Sequence, residues 1–163
     1  TNFVEVPLGV ARMHRILREF DGVPEHMWSQ AGAGRSVLLM PVPGEQHTFG
    51  LRLVQEFLLR ESWSVITRSV PKVADIHKIV AKGEFDVIGL SLSGETLIDS
   101  LRSSIAEIRD ITKSSGTKIL IGGQLFSERP DLVESLGADA YAPDAPSTVT
   151  LLNRWAYEAA APR

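Results

Sequence analysis

The sequence contains no cysteine, and this absence removes several classes of cofactor site. Disulfides, thiolate-bound zinc, iron–sulfur clusters and thiolate-ligated haem all depend on cysteine sulfur. A metal bound by this chain would therefore take its protein ligand from one of the four histidines, a methionine or a carboxylate.

A long apolar run and a surplus of basic residues are missing as well. No stretch approaches the roughly twenty apolar residues of a membrane-spanning helix, and the N-terminus has no charged head followed by an apolar run. The net charge is -3 and the basic residues are scattered, so the electrostatic pattern of a nucleic-acid binder is absent. We expect a cytoplasmic protein with no direct contact to membranes or nucleic acid.

The length of 163 residues suits one domain with a single core. Apolar residues at helical spacing predict a leading helix at residues 4–20, and the Gly- and Pro-containing stretch 23–35 is typical of a linker. We interpret residues 1–35 as this leading helix and linker, the remnant of an upstream helical region. Residues 36–163 form the domain proper.

From Ser36 onward, short apolar runs alternate with helical patterns. Strands are predicted at residues 37–40, 64–67, 87–90, 118–121 and 140–141, and helices at 51–58, 73–80, 97–108, 132–136 and 149–157. Such strands are typical of a parallel sheet covered on both faces. The sequence therefore predicts a doubly wound, flavodoxin-like α/β fold with five strands in the order 2-1-3-4-5. Its ligand crevice would lie at the carboxyl ends of strands one and three.

The loop after the first strand places an imidazole, His47, at this crevice. A simpler interpretation of the same loop is a helix N-terminus capped by Glu45 or Thr48, with an incidental histidine. The loops after strands three and four begin with the small residues of Ser91-Leu92-Ser93 and Gly122-Gly123. Small side chains at these strand ends predict an open trough for a planar or tail-like group.

Together the three loops resemble the fingerprint of the cobalamin-binding domain family: an acidic residue, any residue, His, two residues and Gly, then Ser-x-Leu, then Gly-Gly. The resemblance implies that His47 is the metal ligand, replacing the dimethylbenzimidazole base of cobalamin below the cobalt. It also implies that the displaced nucleotide tail lies in a trough lined by Ser91 and the glycine pair. The implied cofactor-binding residues are Glu45, Gln46, His47, Thr48, Phe49, Gly50, Ser91, Leu92, Ser93, Gly122, Gly123, Gln124 and Leu125.

Two positions depart from the family pattern. Glu45 stands where the family usually has Asp, which adds one methylene to the arm that would orient the ligand imidazole through its second nitrogen. Ser93 stands where the family usually has Leu, which predicts a more polar tail channel.

A narrower resemblance covers nearly the whole chain. Residues 3–17, 43–50 and 122–126 are similar to the antirepressors of photosynthetic bacteria of the AerR, PpaA and AppA kind, which act in light or redox signalling by binding a transcriptional repressor. The resemblance implies a non-enzymatic sensory domain that binds cobalamin, or haem as second choice, and contacts a repressor of the PpsR/CrtJ type. The alternatives are a corrinoid carrier domain of a methyltransferase or mutase, and a ligand-free interaction domain.

Other candidate residues receive a structural interpretation. His77 is predicted on the polar side of a helix, and Trp63 and Trp155 are assigned to packing. His26, close to Trp28, is the alternative ligand for haem or for an upper cofactor face, against the simpler interpretation of a linker histidine. A response-regulator receiver domain would share the topology, but it needs a phosphoacceptor Asp where the third strand ends in Ser91.

Overall fold

The structure is a computed structural model that describes residues 32–160. The predicted leading helix, most of the linker and His26 lie outside these residues. The strands are β1 (Ser36–Pro41), β2 (Ser64–Thr67), β3 (Val87–Ser91), β4 (Lys118–Gly122) and β5 (Ala140–Ala142). The helices are α1 (Phe49–Arg60), α2 (Ile76–Val80), α3 (Ile98–Thr112), α4 (Gln124–Glu128), α5 (Asp131–Ser135) and α6 (Ala145–Ala160).

The five strands form one parallel sheet in the order β2-β1-β3-β4-β5, which confirms the predicted architecture. The central strands are buried on both faces because their successive side chains enter two different apolar layers. In β1, Leu38 and Met40 join one hydrophobic cluster, whereas Val37 and Leu39 join the other.

Each layer of helices covers one face of the sheet. Helices α2, α3 and α4 pack on one face through residues such as Ile76, Ile105 and Phe126. Helices α1 and α6 pack on the other through residues such as Leu58 and Leu152. No helix between residues 32 and 160 combines the length and apolar character needed to cross a membrane.

Trp63, just before β2, packs in the layer of α1 and α6, as predicted. Its side chain is 3% exposed and its Nε1 donates a hydrogen bond of 2.8 Å to Asn153 Oδ1 on α6. Trp155 packs against the same apolar cluster. The indole of Trp63 therefore links the start of β2 to α6 within one helical layer, and its Nε1–H has a hydrogen-bond partner.

The predicted helix 73–80 is split into a 3-10 turn at Val73–Asp75 and the helix α2. Two further elements differ from the sequence-based prediction. Helix α6 begins at Ala145 rather than near residue 149, because the Asp144 carboxylate accepts a hydrogen bond of 2.8 Å from the Ser147 backbone N–H and Pro146 fits the first turn. Helix α4 is a single short segment directly after β4, where a loop was predicted. Both differences lie at the carboxyl edge of the sheet.

Candidate functional site

A cavity of about 360 Å³ opens at the carboxyl edge of the sheet, between the strands and helices α1 and α6. Its position agrees with the crevice expected beside β1 and β3. Its inner wall is made of apolar side chains from the sheet and from α1, and its mouth carries polar residues from the loops. The wall includes Leu39, Leu51, Val54, Gly89, Leu90, Leu120 and Ala142.

The loop between β1 and α1 is held in place by backbone hydrogen bonds. The Val42 N–H donates to the Ser91 carbonyl oxygen at 2.9 Å, which continues the pairing of β1 with β3 beyond the strand ends. The Glu45 N–H donates to the Val42 carbonyl at 2.8 Å across a turn in which Gly44 has φ +96°. A glycine suits this turn because other residues rarely adopt positive φ. The turn aims Glu45 back toward β3.

Glu45 is the most heavily hydrogen-bonded side chain of this loop, with only 4% of its side chain exposed. Oε1 accepts from the His47 N–H at 2.9 Å and lies 2.9 Å from His47 Nδ1. Oε2 accepts from the Ser93 N–H at 2.8 Å and from Ser93 Oγ at 2.9 Å. Burial raises the pKa of Glu45, but the backbone and side-chain donors of Ser93 and His47 outweigh it and lower the pKa to about 2. Glu45 is therefore an anion at neutral pH.

The imidazole of His47 stands at the mouth of the cavity with 81% of its side chain exposed. Its Nδ1 faces the Glu45 carboxylate, an arrangement that favours the tautomer with the proton on Nδ1. The Nε2 lone pair is then available to a ligand, since no residue between 32 and 160 hydrogen-bonds to it. The interpretation of Glu45 as a helix cap is wrong, because its carboxylate is committed to His47 and Ser93. Thr48 does occupy the N-cap position of α1, although its side chain makes no cap hydrogen bond.

Ser93 acts as a third member of this cluster. Its hydroxyl lies within 3.1 Å of both Glu45 oxygens and 3.2 Å from His47 Nδ1. The Ser93 hydroxyl donates to the Glu45 carboxylate, so the two residues that differ from the family pattern are in direct contact. Ser93 lines the cavity, but its hydroxyl is directed at the carboxylate rather than left to make the channel polar.

Glu45→Gln is expected to lower the free energy of unfolding by about 1.5–3 kcal/mol at pH 7, because the new amide NH₂ faces donors where an oxygen accepted their hydrogen bonds. The lowered pKa makes this contribution complete above pH 4.5 and lost as the pH falls toward 2. Urea denaturation of both proteins across that range measures it. Glu56→Gln, at an exposed position on α1, is the matched control. A constant difference from pH 7 to pH 2 would contradict the assignment.

Ser91, at the end of β3, carries an unusual polar atom. Its Oγ is buried and has no hydrogen-bond partner among the described residues, although the residue lines the cavity. Buried polar groups without partners are rare and carry a free-energy cost. Ser91 lines the cavity as a residue, but its Oγ itself is shielded from solvent.

The glycine pair shapes the cavity in two different ways. Gly123 has φ +133°, and a Cβ there would lie 1.8 Å from the Leu92 carbonyl oxygen, so the backbones following β3 and β4 pass each other without room for a side chain. A Cβ at Gly122 would meet its nearest neighbour, the Ala142 carbonyl oxygen, at an ordinary 3.6 Å. Gly123 is thus required by the fold, whereas Gly122 lines the cavity without adding a side chain to it.

The structure brings most of the predicted site residues to this cavity, but not all of them. His47, Gly50, Ser91, Leu92, Ser93, Gly122, Gly123 and Gln124 line it, and Glu45 holds His47. Gln46, Thr48 and Phe49 are exposed on the loop and at the start of α1, outside the cavity lining. Leu125 is 7% exposed and belongs to the hydrophobic cluster on the opposite face of the sheet.

The segment that joins β5 to α6 was missed by the sequence analysis. Pro143, Asp144, Ala145 and Thr148 line the cavity from this side. The signal was present, since Asp-Ala-Pro-Ser is typical of a helix start. Moving the predicted start of α6 back from residue 149 would have brought this loop to the same edge of the sheet as the other three.

A conventional multi-ligand metal site is absent between residues 32 and 160, where no three His, Asp or Glu side chains lie together as possible ligands. His77 is exposed on α2, as predicted. His47 therefore offers a single nitrogen, which suits a metal that arrives already enclosed by other ligands, as in a macrocycle.

Solved structures share this architecture. A cobalamin-binding protein from Desulfitobacterium hafniense superimposes with a TM-score of 0.67 at 22% identity, over 74% of this chain and 58% of that one. The monomethylamine corrinoid protein of Methanosarcina barkeri gives a TM-score of 0.65 at 17% identity, over 80% and 62%. This chain thus spans about three fifths of both proteins. A response-regulator receiver domain from Clostridium thermocellum gives 0.53 at 17% identity, over 77% and 95%. At these identities the likeness establishes the fold.

Sequence comparison gives the family. The chain is 25% identical over 142 residues to an uncharacterised 20.5 kDa protein in the bchF-crtJ intergenic region of Rhodobacter capsulatus, with 87% of this chain and 73% of that protein covered. The B12 binding domain family matches residues 35–152, which include the three loops around the cavity. This chain therefore belongs to the B12-binding domain family.

Proposed function

We propose that this domain binds cobalamin through His47 and serves as the non-catalytic sensory part of a light- or redox-responsive antirepressor. It would act by contacting a transcriptional repressor of the PpsR/CrtJ type. The observation that carries the cofactor assignment is the His47 imidazole, fixed by Glu45 at the mouth of an apolar cavity. Family membership supports the same cofactor.

The residues present fit the cofactor that the family implies. His47 would hold the cobalt through Nε2, while Glu45 fixes the ring and adds to its basicity. The cavity, with the unpartnered Ser91 hydroxyl in its wall, would take the displaced nucleotide tail. When bound, the corrinoid supplies a redox-active cobalt centre. Haem, the second cofactor considered, receives no support from the family or from the two solved corrinoid proteins.

The antirepressor role rests on three observations from the sequence and its relatives. The resemblance to the AerR, PpaA and AppA group extends beyond the fingerprint, into residues 3–17 and 122–126. The relative from Rhodobacter capsulatus is named for its position beside crtJ, and CrtJ is the type of repressor that the resemblance implies as partner. The acidic net charge of -3 favours a protein partner over DNA.

A corrinoid carrier domain is the second candidate, and the likeness to the monomethylamine corrinoid protein favours it. A carrier presents its cofactor to a partner enzyme and passes a methyl group on. Incubation of the cobalamin-loaded protein with a corrinoid methyltransferase, followed by absorption spectroscopy, would reveal cycling between reduced and methylated cobalt. Such cycling would favour the carrier function over the sensory function.

The experiment that tests the antirepressor role is a gel-shift assay with a CrtJ-type repressor and its operator DNA. The cobalamin-loaded full chain is expected to release the repressor from DNA, in a manner that depends on illumination or redox state. The same protein without cofactor and the His47→Ala variant are the controls. Equal release by all three proteins, or release by none, would overturn the proposed function.

A further inference from the structure

We propose that the domain has a second ligand site, at the amino edge of the sheet, for a small aromatic molecule that carries a carboxylate. The site is a cavity of about 220 Å³ and shares no lining residue with the cavity beside His47. It lies where β1, β3 and β4 begin, whereas the cavity beside His47 lies where these strands end. The inference is therefore independent of the proposed cofactor.

Three aromatic residues contribute to the wall of this second cavity. Trp63 comes from just before β2, Phe85 from the segment before β3 and Trp155 from α6. Trp63 is 3% exposed and its Nε1–H is already hydrogen-bonded, so it offers the cavity only the apolar surface of its ring. Val87, which is buried, adds further apolar surface. Such a wall suits a flat aromatic group, because aromatic rings pack favourably against one another.

The size of the cavity limits what it can hold. Sites for drug-sized ligands and cofactors have volumes of roughly 300–1,000 Å³, and this cavity is smaller, at about 220 Å³. The ring of Phe85 packs directly on the backbone of Gly83, where a Cβ would lie 2.8 Å from it, so this part of the wall cannot retreat. A nucleotide or a corrinoid is too large for the cavity. A single ring with a short polar arm has the matching size.

The charged side chains at the cavity leave one positive charge. Arg35 Nη1 lies 3.3 Å from Asp86 Oδ1, and Asp86 Oδ2 accepts a hydrogen bond of 2.8 Å from the Ser36 N–H. Arg35 and Asp86 therefore neutralise each other. Lys118, exposed at the start of β4, also lines the cavity, and its side chain has no ion pair or hydrogen bond within residues 32–160. The remaining charge favours an anion over a cation.

The polar side-chain groups that are still free at the cavity are donors. The Trp155 indole N–H makes no hydrogen bond to any residue between 32 and 160, and an ammonium such as that of Lys118 can only donate. The Ser115 hydroxyl, in contrast, is already engaged with the Thr112 carbonyl and Thr117 Oγ1. A carboxylate accepts from both free donors, and its hydrogen bond with an ammonium is charge-assisted. An amine would find no free side-chain acceptor among the described residues of the wall.

The test uses two probes with the same ring and similar size, phenylacetate and the cation phenethylamine. A proton–nitrogen correlation NMR spectrum of the full chain contains one indole signal for each of its three tryptophans, and Trp155→Phe assigns the signal of Trp155. We expect phenylacetate to shift this signal in a saturable manner. We also expect phenylacetate to bind at least about 10-fold more tightly than phenethylamine, because only the anion gains a charge-assisted hydrogen bond.

A pair of lysine variants tests the charge. Lys118→Gln is expected to weaken phenylacetate binding by about 10-fold, because it removes the free cation and keeps a side chain of similar length. Lys72→Gln, at an exposed position beyond the carboxyl end of β2, is the matched control and is expected to keep the affinity of the parent. Urea denaturation of both variants shows that they are folded.

Three results would each overturn the inference. They are equal affinities for the two probes, a Trp155 signal that phenylacetate leaves in place, and a Lys118→Gln variant that binds phenylacetate as tightly as the parent does. None of these results affects the cobalamin assignment, which hydroxocobalamin titrations test at the other edge of the sheet. Failure of cobalamin to bind would in turn leave the second site untouched.

Discussion

Replacing His47 with alanine is expected to weaken hydroxocobalamin binding by more than roughly 100-fold. Loss of an outer partner of a metal ligand already costs about 10- to 100-fold in affinity, and here the proposed ligand itself is removed. The described residues around it offer no second imidazole, since His77 lies on α2, outside the cavity lining. In the proposed binding mode, residual affinity would come from the nucleotide tail, because the substitution leaves the cavity itself unchanged.

Absorption spectroscopy during the titration separates loss of the ligand from loss of the site. The parent protein is expected to give the spectrum of cobalamin with a protein nitrogen below the cobalt, and His47→Ala the spectrum without it. His77→Ala is the matched control, because it removes an exposed imidazole from α2. A variant that keeps both the affinity and the spectrum of the parent would exclude His47 as the cobalt ligand.

The parallel, doubly wound sheet could be predicted from the sequence because the strands carry little else than apolar residues, and its strand order is the likelier of the two common ones for five strands. Runs such as 37–40 and 87–90 have no alternation, and this excludes a sheet with one face in water. The start of α6 could not be read from the apolar pattern, because Ala145 and Pro146 are set by the cap at Asp144. Hydrophobic periodicity reports the buried middle of a helix better than its ends.

The candidate site, too, could be predicted only in part from the sequence. Loop positions at the ends of β1, β3 and β4 followed from the topology, since the carboxyl ends of parallel strands share one edge. The contact between Glu45 and Ser93, 48 residues apart, did not follow, because each was considered only as a departure from a family pattern. Side-chain direction is set by tertiary packing, which also turned Leu125 into the opposite core.

The second large effect is expected on stability, from a substitution in the glycine pair Gly122-Gly123. Gly123→Ala is expected to lower the free energy of unfolding by about 2–4 kcal/mol, because the residue has φ +133° and the new methyl would lie 1.8 Å from the Leu92 carbonyl oxygen. Relief requires the backbone after β3 to move. That movement shifts Ser93 away from Glu45 and so loosens the support of His47.

Gly122→Ala is the comparison that isolates this cause, since its methyl would meet the Ala142 carbonyl at 3.6 Å. We expect it to change the free energy of unfolding by less than about 1 kcal/mol, and to act on the cavity instead by adding a methyl to its wall. Urea denaturation of the two variants measures the first effect, and cobinamide and hydroxocobalamin titrations measure the second. If the two substitutions lowered the free energy of unfolding equally, the close approach of the Gly123 and Leu92 backbones would not be the cause of the effect at Gly123.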